Sequence, residues 1–391
     1  MSPRWNRSVL PRFARSPGLA SRGRAPGRVP RPKASLLLAC ALLLAVPAAR
    51  AEPWLAVQMG LKCAQCHVNP TGGGLRSTFG NVFAQNQLAA HRLGGDDAEL
   101  WTGTIGRFLS VGGNVRATAS YVDVPDQGSS NDFQVEEARI YLDLGIIPGR
   151  LSVYVDERVA PGNAEDREAN VRLWLREGEI YLKGGKFYLP FGWRLEDDNA
   201  YVRQLSGINM QAPDQGFELG LEHGPWSAQF AVSNGSAGGP ETDDGKMYTL
   251  RAERVAGDWR VGLSATVNDT DAGNRKGAAL FGGLRRGRFA LLGEFDYFDD
   301  RGIGRNGREL MASMIEANWL WRQGHNVKLT YEWFEPDVHV DEDEQTRTSL
   351  VYEWSPLQFL QARFGVRKFI GIPQNDFQNR TEAFLQLHGF F

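Results

Sequence analysis

The chain has 391 residues, 42% of them hydrophobic, with 44 Lys and Arg against 46 Asp and Glu and three cysteines. Residues 1–51 carry ten of the basic side chains and no acid, so the rest holds 34 basic against 46 acidic residues, a net of −12. That balance excludes a nucleic-acid partner, and after residue 51 no run of 18 apolar residues offers a transmembrane helix.

Residues 1–51 read as an export signal. A basic stretch runs to Lys33, the apolar run "ASLLLACALLLAVPAA" follows, and the small-x-small triplet Ala49-Arg50-Ala51 precedes Glu52. Cleavage there removes Cys40 and leaves Cys63 and Cys66 in an oxidising compartment.

Residues 52–102 form a second segment, built around "GLKCAQCHVNPTGGG" (60–74). Cys63-Ala64-Gln65-Cys66-His67 has the C-x-x-C-H spacing of covalent c-type haem attachment. Two thiols three positions apart reach the two vinyl groups on one edge of a porphyrin, and the histidine after them lies under the iron as proximal ligand. Other readings remain open. A dithiol redox pair wants a βαβ context, a zinc site wants a second pair of ligands, and a structural disulfide leaves His67 without a role. A helix over 56–67 is expected to carry the motif, "NPTGGG" (69–74) to end it, and Leu75, Phe79, Val82, Phe83 and Leu88 to line a small amphipathic helix. Met59, His91 and Met210 are the candidates for a distal iron ligand.

From residue 103 to the end the apolar period is two. Ile140, Leu142 and Leu144 alternate with Arg139, Tyr141 and Asp143, and Trp259, Val261, Leu263 and Val267 alternate with Arg260, Ser264 and Thr266. Short turns are expected at 148–150, 176–179, 222–225, 256–258, 285–288, 322–325 and 355–357. Longer polar loops are expected at 122–131, 160–168, 234–245, 268–276, 298–307 and 334–346. Short turn, long loop, short turn is how an up-and-down outer-membrane barrel is built, and the rhythm gives sixteen strands. A soluble β-sandwich explains the alternation but not this rhythm. The fold class is therefore all-β, a 16-stranded antiparallel transmembrane β-barrel, preceded by a short α-helical haem segment that plugs the lumen. A free fifty-residue domain is marginal, whereas a barrel this wide leaves an aqueous channel to fill; tethering below the barrel mouth is the alternative.

Several barrel features bear on function. Trp101, Trp193, Trp226, Trp319, Trp321 and Trp354 suggest interface girdles. The stretch 194–213 is an unusually long loop, able to fold inward. Arg139, Arg172, Arg251, Arg260, Arg363 and Arg367 fall on the lumen face, where they would favour anions. Glu196, Asp197 and Asp198 in the long loop, and Asp341, Glu342, Asp343 and Glu344 in an outer loop, are candidates to attract cations toward the mouth.

"GKFYLPFGW" (185–193) resembles a motif of phosphate-selective-porin-like barrels, and the ending "TEAFLQLHGFF" resembles that of bacterial outer-membrane barrels. In order and motifs, from "PWLAVQMGLKCAQCHVNPTGGGLRSTFG" to the terminal Phe391, the mature chain resembles the fused cytochrome–porins of the outer membrane. The resemblance implies one haem c on Cys63 and Cys66 with His67 on the iron. It also implies oxidation of ferrous iron at the cell surface, with electrons passed to a periplasmic c-type cytochrome. The partners expected are thus an extracellular metal reductant, a periplasmic electron carrier and the lipid bilayer. A haem-plugged solute channel and a haem-based redox sensor are the other functions in play.

Overall fold

The computed structural model describes residues 52–95, 97–303 and 307–391; the expected export signal lies outside them. Sixteen strands follow in chain order: β1 (Leu109–Val124), β2 (Gly128–Ile147), β3 (Leu151–Ala160), β4 (Glu165–Leu175), β5 (Ile180–Phe187), β6 (Asp214–His223), β7 (Trp226–Ser233), β8 (Met247–Ala256), β9 (Trp259–Thr270), β10 (Gly273–Arg286), β11 (Phe289–Asp299), β12 (Glu309–Arg322), β13 (His325–Glu335), β14 (Gln345–Leu357), β15 (Leu360–Ile370) and β16 (Thr381–Phe390). Each pairs antiparallel with its sequence neighbours, and β16 closes on β1 from Thr381↔Asp123 to Phe390↔Asn114. The expected sixteen-stranded closed barrel is what forms, and closure leaves its sheet without a free edge. A two-residue strand, Thr104–Ile105, pairs with the start of β1. Among the described residues no helix is long and apolar enough to cross a membrane.

Period-two alternation decides the faces. Ile140, Leu142, Val261, Leu263, Leu280 and Ile315 are exposed on the outside, while their neighbours Arg139, Tyr141, Arg260, Ser264, Phe281 and Glu316 are buried inside. Such an outside is stable only against an apolar medium. Trp226, Trp259, Phe289, Trp319 and Trp354 are also exposed and sit within a few residues of the short turns, with Phe289 and Trp319 stacked at 6.1 Å. They form the girdle expected at one interface. Trp193 is a correction: it is buried inside the barrel, edge-on to Phe281 at 5.3 Å.

Seven short connections lie at one end, leaving 148–150, 176–179, 224–225, 257–258, 287–288, 323–324 and 358–359 outside the strands. The last falls beyond the expected 355–357, because β14 runs on to Leu357 through a register shift after Trp354. At the other end three expected loops are tight reversals, with only 125–127, 161–164 and 271–272 unpaired. Polar side chains there signalled loop, yet polarity does not stop a backbone ladder once both strands stand in water.

Two insertions occupy the interior. One is the connection 188–213, which carries the helix Tyr201–Ser206. The other is the N-terminal segment, with α1 (Pro53–Met59), α2 (Cys63–Cys66), α3 (Thr78–Phe83) and a π-helical turn, Ala84–Leu88. The single helix expected over 56–67 is broken at Gly60, which caps α1 in the left-handed region at φ 63°. There a side chain would begin 2.8 Å from the Gly257 carbonyl. One hydrophobic cluster joins all three parts: Trp54 and Val57 of α1, Phe191, Trp193 and Leu205 of the connection, and wall residues such as Phe281, Leu292 and Met314.

Candidate cofactor site

The turn α2 is closed by its own ends. The Lys62 N–H donates to Gln65 Oε1 (2.9 Å) and the His67 N–H to the Cys63 carbonyl (3.0 Å). The chain then folds back on it. The Val68 N–H donates to the Leu75 carbonyl (3.0 Å) and the Ser77 N–H to the Cys66 carbonyl (2.9 Å). Ser77 Oγ donates to the Gln65 carbonyl (2.7 Å) and accepts from the Gly80 N–H (3.1 Å), so one side chain caps α3 and ties it to α2. At the tip of this hairpin Gly72, Gly73 and Gly74 take φ of 94°, 77° and 63°. A side chain on Gly74 would begin 2.3 Å from the Tyr154 hydroxyl, so only glycine passes the wall there.

Wall residues hold the hairpin from several sides. Tyr154 Oη accepts from the Leu75 N–H (3.1 Å), and Asn69 Nδ2 donates to Glu168 Oε1 (3.3 Å). The guanidiniums of Arg172 and Arg260 donate to the carbonyls of Val68 and Leu61. At the short-turn rim Gln58 Nε2 donates to the Gly287 carbonyl (2.7 Å), Lys62 Nζ to the Trp226 carbonyl (3.2 Å), and the Ala90 N–H to the Ser355 carbonyl (2.8 Å). Glu52 pairs with Lys328, which also holds Glu353 at 2.9 Å. From the opposite side Arg194 Nη2 of the 188–213 connection donates to Thr71 Oγ1 (2.7 Å), so the two insertions meet.

Where they meet lies a cavity with about 740 Å³ of empty space, a figure that takes in the open space at its mouth. Cys63, Cys66 and His67 line it, with Leu55, Leu61, Phe83, Leu88 and Trp193 among the apolar walls. His67 is only 4% exposed, and neither ring nitrogen has a hydrogen-bond partner. Burial, reinforced by Arg76, pushes the imidazole down to about 3, against a weaker upward pull from the carbonyls of Gly73 and Gly74. It is therefore a neutral imidazole, the form that offers a lone pair. Burial pushes the Cys63 thiol up, and burial with Cys63 beside it pushes Cys66 up to about 11. Neither thiol is poised as a thiolate ligand or nucleophile, whereas a thioether carries no charge to bury. Among the described residues no group of three or more His, Cys, Asp or Glu is placed to hold a bare metal ion. The donor set thus fits a flat apolar group tied to two sulfurs and ligated by one imidazole.

The other sequence-derived candidates fall elsewhere. Met59 is half-buried at the end of α1 and outside the cavity lining. His91 is exposed at the short-turn rim, where its backbone bridges to Leu357. Met210 is buried, its sulfur 3.5 Å from where a side chain on Gly73 would begin, but it does not line the cavity either. The acids of the inward connection are committed to partners. Glu196 pairs with Arg116 (2.8 Å) and Arg363 (2.9 Å), Asp197 with Arg347 (3.0 Å) and Arg367 (2.9 Å), and Asp198 Oδ1 accepts the Met210 N–H (3.0 Å). Arg347 and Arg367 hold the Asp197 carboxyl below its ordinary range. Asp341, Glu342 and Glu344 are exposed and Asp343 half-buried in the outer loop 336–344. The lumen arginines are engaged too: Arg139 with Asp156 and Glu137, Arg251 and Arg260 with Glu253, and Arg172 with the Val68 carbonyl.

Sequence reasoning did not find Arg76, Arg194, Tyr154 or Gly80. Ser77 three residues before Gly80 was a legible cap signal; Tyr154 and Arg194 act through contacts across more than 75 residues, and Arg76 reaches His67 only because the hairpin folds back.

No protein-family model matches the sequence, and none of the curated proteins compared with it matches. Solved structures do. The chain is similar to an anion-selective porin from Comamonas acidovorans at 15% identity and a TM-score of 0.57, over 72% of this chain and 99% of that one. It is similar to a loop-deletion mutant of OmpT, an outer membrane protein of Vibrio cholerae, at 11% identity and 0.58, over 72% and 99%. It is similar to OprB of Pseudomonas putida at 10% identity and 0.57, over 73% and 94%. At these identities the likeness is one of fold, and the fold is that of the sixteen-stranded outer-membrane porins.

Proposed function

We propose that this protein is an outer-membrane electron conduit. One haem c is attached through Cys63 and Cys66 with His67 on the iron, and the N-terminal segment acts as a plug at the periplasmic end of the barrel. Electrons come from an extracellular donor, Fe(II) by preference, and leave to a periplasmic cytochrome. The observation that carries this reading is His67: a buried neutral imidazole directly after Cys66 and four residues after Cys63, all three on one cavity inside a porin-type barrel.

A bound haem supplies one-electron redox chemistry. The chain's own residues supply the rest. Leu55, Leu61, Phe83 and Trp193 exclude water, the Ser77 bonds fix the turn, and the ion-paired inward connection separates the cavity from the outer mouth. The bilayer core is an insulator about 30 Å thick, and a redox centre within it shortens the distance an electron must cross. The test is mass spectrometry of protein matured in a host competent for cytochrome c assembly, followed by a redox titration with Fe(II). A covalent tetrapyrrole lost in Cys63→Ser/Cys66→Ser is expected; an unmodified chain would end the proposal, and a haem not reduced by Fe(II) would remove iron as donor.

A second reading is a solute channel whose lumen is gated by the same two insertions. The likeness to porins favours it. The interior hydrophobic cluster and the engaged lumen arginines oppose it, because an open porin keeps a polar, watered lumen. Single-channel conductance in planar bilayers separates the two.

A further inference from the structure

Five ionisable side chains line the cavity besides Cys63, Cys66 and His67: Glu52, Lys62, Arg76, Arg194 and Arg251. Three have partners of opposite charge. Glu52 meets Lys328, Lys62 meets Glu222 at 2.9 Å, and Arg251 meets Glu253 at 3.2 Å. Arg76 and Arg194 differ. Among the described residues no carboxylate lies within salt-bridge distance of either.

Arg76 is 7% exposed, follows the hairpin directly, and stacks its guanidinium 4.7 Å above the ring of Phe390. Arg194 enters from the other insertion. It spends Nη2 on Thr71 Oγ1 and on the more distant carbonyls of Tyr188 and Leu189, and its buried Nε has no partner. Arg76 is buried and Arg194 half-buried, with Glu168 and Glu218 acting on Arg194 only from beyond salt-bridge distance; a cation held largely out of water without a close counter-charge is costly, so two of them on one cavity mark a ligand with two negative charges.

We propose that Arg76 and Arg194 seat the two propionates of the haem, one on the motif's own hairpin and one on the inward connection. This rests on the haem reading above. Each guanidinium offers a planar fork of N–H donors suited to a carboxylate. Because the two arginines belong to different insertions, the ligand would tie the N-terminal segment to the 188–213 connection. Both are positioning residues. They also set the charge around the iron, since a nearby cation favours the reduced, less positive state.

The test uses full-length protein matured with haem. Mass spectrometry comes first, and a chain without haem overturns this inference together with the proposed function. With haem present, Arg76→Gln and Arg194→Gln are each expected to lower the midpoint potential, with a tenfold shift of the reduction equilibrium, 59 mV for one electron, in the double variant. Arg194→Lys restores most of the potential. Resonance Raman propionate-bending bands should move in the glutamine variants. Unchanged potentials and unmoved bands in the double variant would overturn the assignment while leaving the haem reading intact. If the double variant fails to assemble, wild-type protein decides the matter. Propionates held by two arginines keep their bands constant from pH 5 to 8, and titration within that window would overturn the inference.

Discussion

Gly80→Ala isolates the packing that shapes the candidate site. Gly80 lies in α3 without a positive φ, so alanine is the better residue for its backbone and gains about 1 kcal/mol in helix propensity. The contact works the other way. An added Cβ would stand 2.1 Å from the Cys66 carbonyl oxygen, 2.9 Å from its carbon and 3.0 Å from its Cα. All three are backbone atoms of the haem-motif turn, so no side chain can swing aside. α3 must retreat from α2 by about 1 Å to reach ordinary contact distance. That movement breaks the Ser77 bonds that cross to α2, from Oγ to the Gln65 carbonyl at 2.7 Å and from N–H to the Cys66 carbonyl at 2.9 Å. Overpacking of this kind sits high in the range of about 1–3 kcal/mol, so after the propensity gain the net loss is about 1–2 kcal/mol, confined to the segment. Hydrogen exchange read by mass spectrometry over 62–91 should show opening rise about 5- to 30-fold, with the strand peptides unaffected. Haem per polypeptide should fall in the same variant. If protection over 62–91 matches or exceeds wild type, helix propensity has won, and the claim that α3 and α2 are fixed by backbone contact is wrong.

Three further outcomes follow from the same geometry. Lys328→Met leaves Glu52 and Glu353 buried together with only Arg363, 3.6 Å from each, as shared cation, a cost below the about 3–5 kcal/mol of an uncompensated buried charge; protease cleavage near residue 52 should accelerate, and adding Glu52→Gln should restore part of the protection. In Cys63→Ser/Cys66→Ser, which holds no covalent group, His67 remains buried at about 3 against 6.5 in the unfolded chain. The unfolded state then binds the proton first, so segment stability is complete above about pH 6.5 and falls as pH drops toward 3, which pH-dependent hydrogen exchange reads directly. Neutralising Glu196, Asp197 and Asp198 together removes one carboxylate from each of Arg116, Arg363, Arg347 and Arg367, which keep Glu137, Glu353, Glu332 and Glu382 on the wall. It should raise single-channel conductance by loosening the connection, and unchanged conductance would show that the acids do not hold the lumen shut.

The barrel was legible because its signal is local. Ile140 beside Arg139 and Leu263 beside Ser264 each say which face meets lipid, and repetition fixes the strand number. Loop lengths were less legible: at 268–276 the polar run Asn268–Asp271 looked like a long loop, yet Asn268↔Arg275 and Thr270↔Gly273 pair in a hairpin. The motif at 63–67 suggested haem attachment by spacing alone, and the structure places Cys63, Cys66 and His67 on one cavity. What surrounds it was not legible, because Tyr154, Arg172 and Arg260 are ordinary lumen residues until the fold brings the hairpin against them.

The acids at 196–198 show why composition misleads inside a closed barrel. On an exposed loop three consecutive carboxylates attract cations, which was the reading drawn from sequence. Inside, the same charges face a wall that already carries Arg116, Arg347, Arg363 and Arg367, and Glu196 and Asp197 each join two of these guanidiniums beside the wall's own carboxylates. The connection is drawn inward by charge at Glu196 and Asp197 and by apolar burial at Trp193 and Leu205. Glu196 and Asp197 are therefore fasteners, while Arg76 and Arg194, on the cavity that His67 lines, have no carboxylate within salt-bridge distance among the described residues.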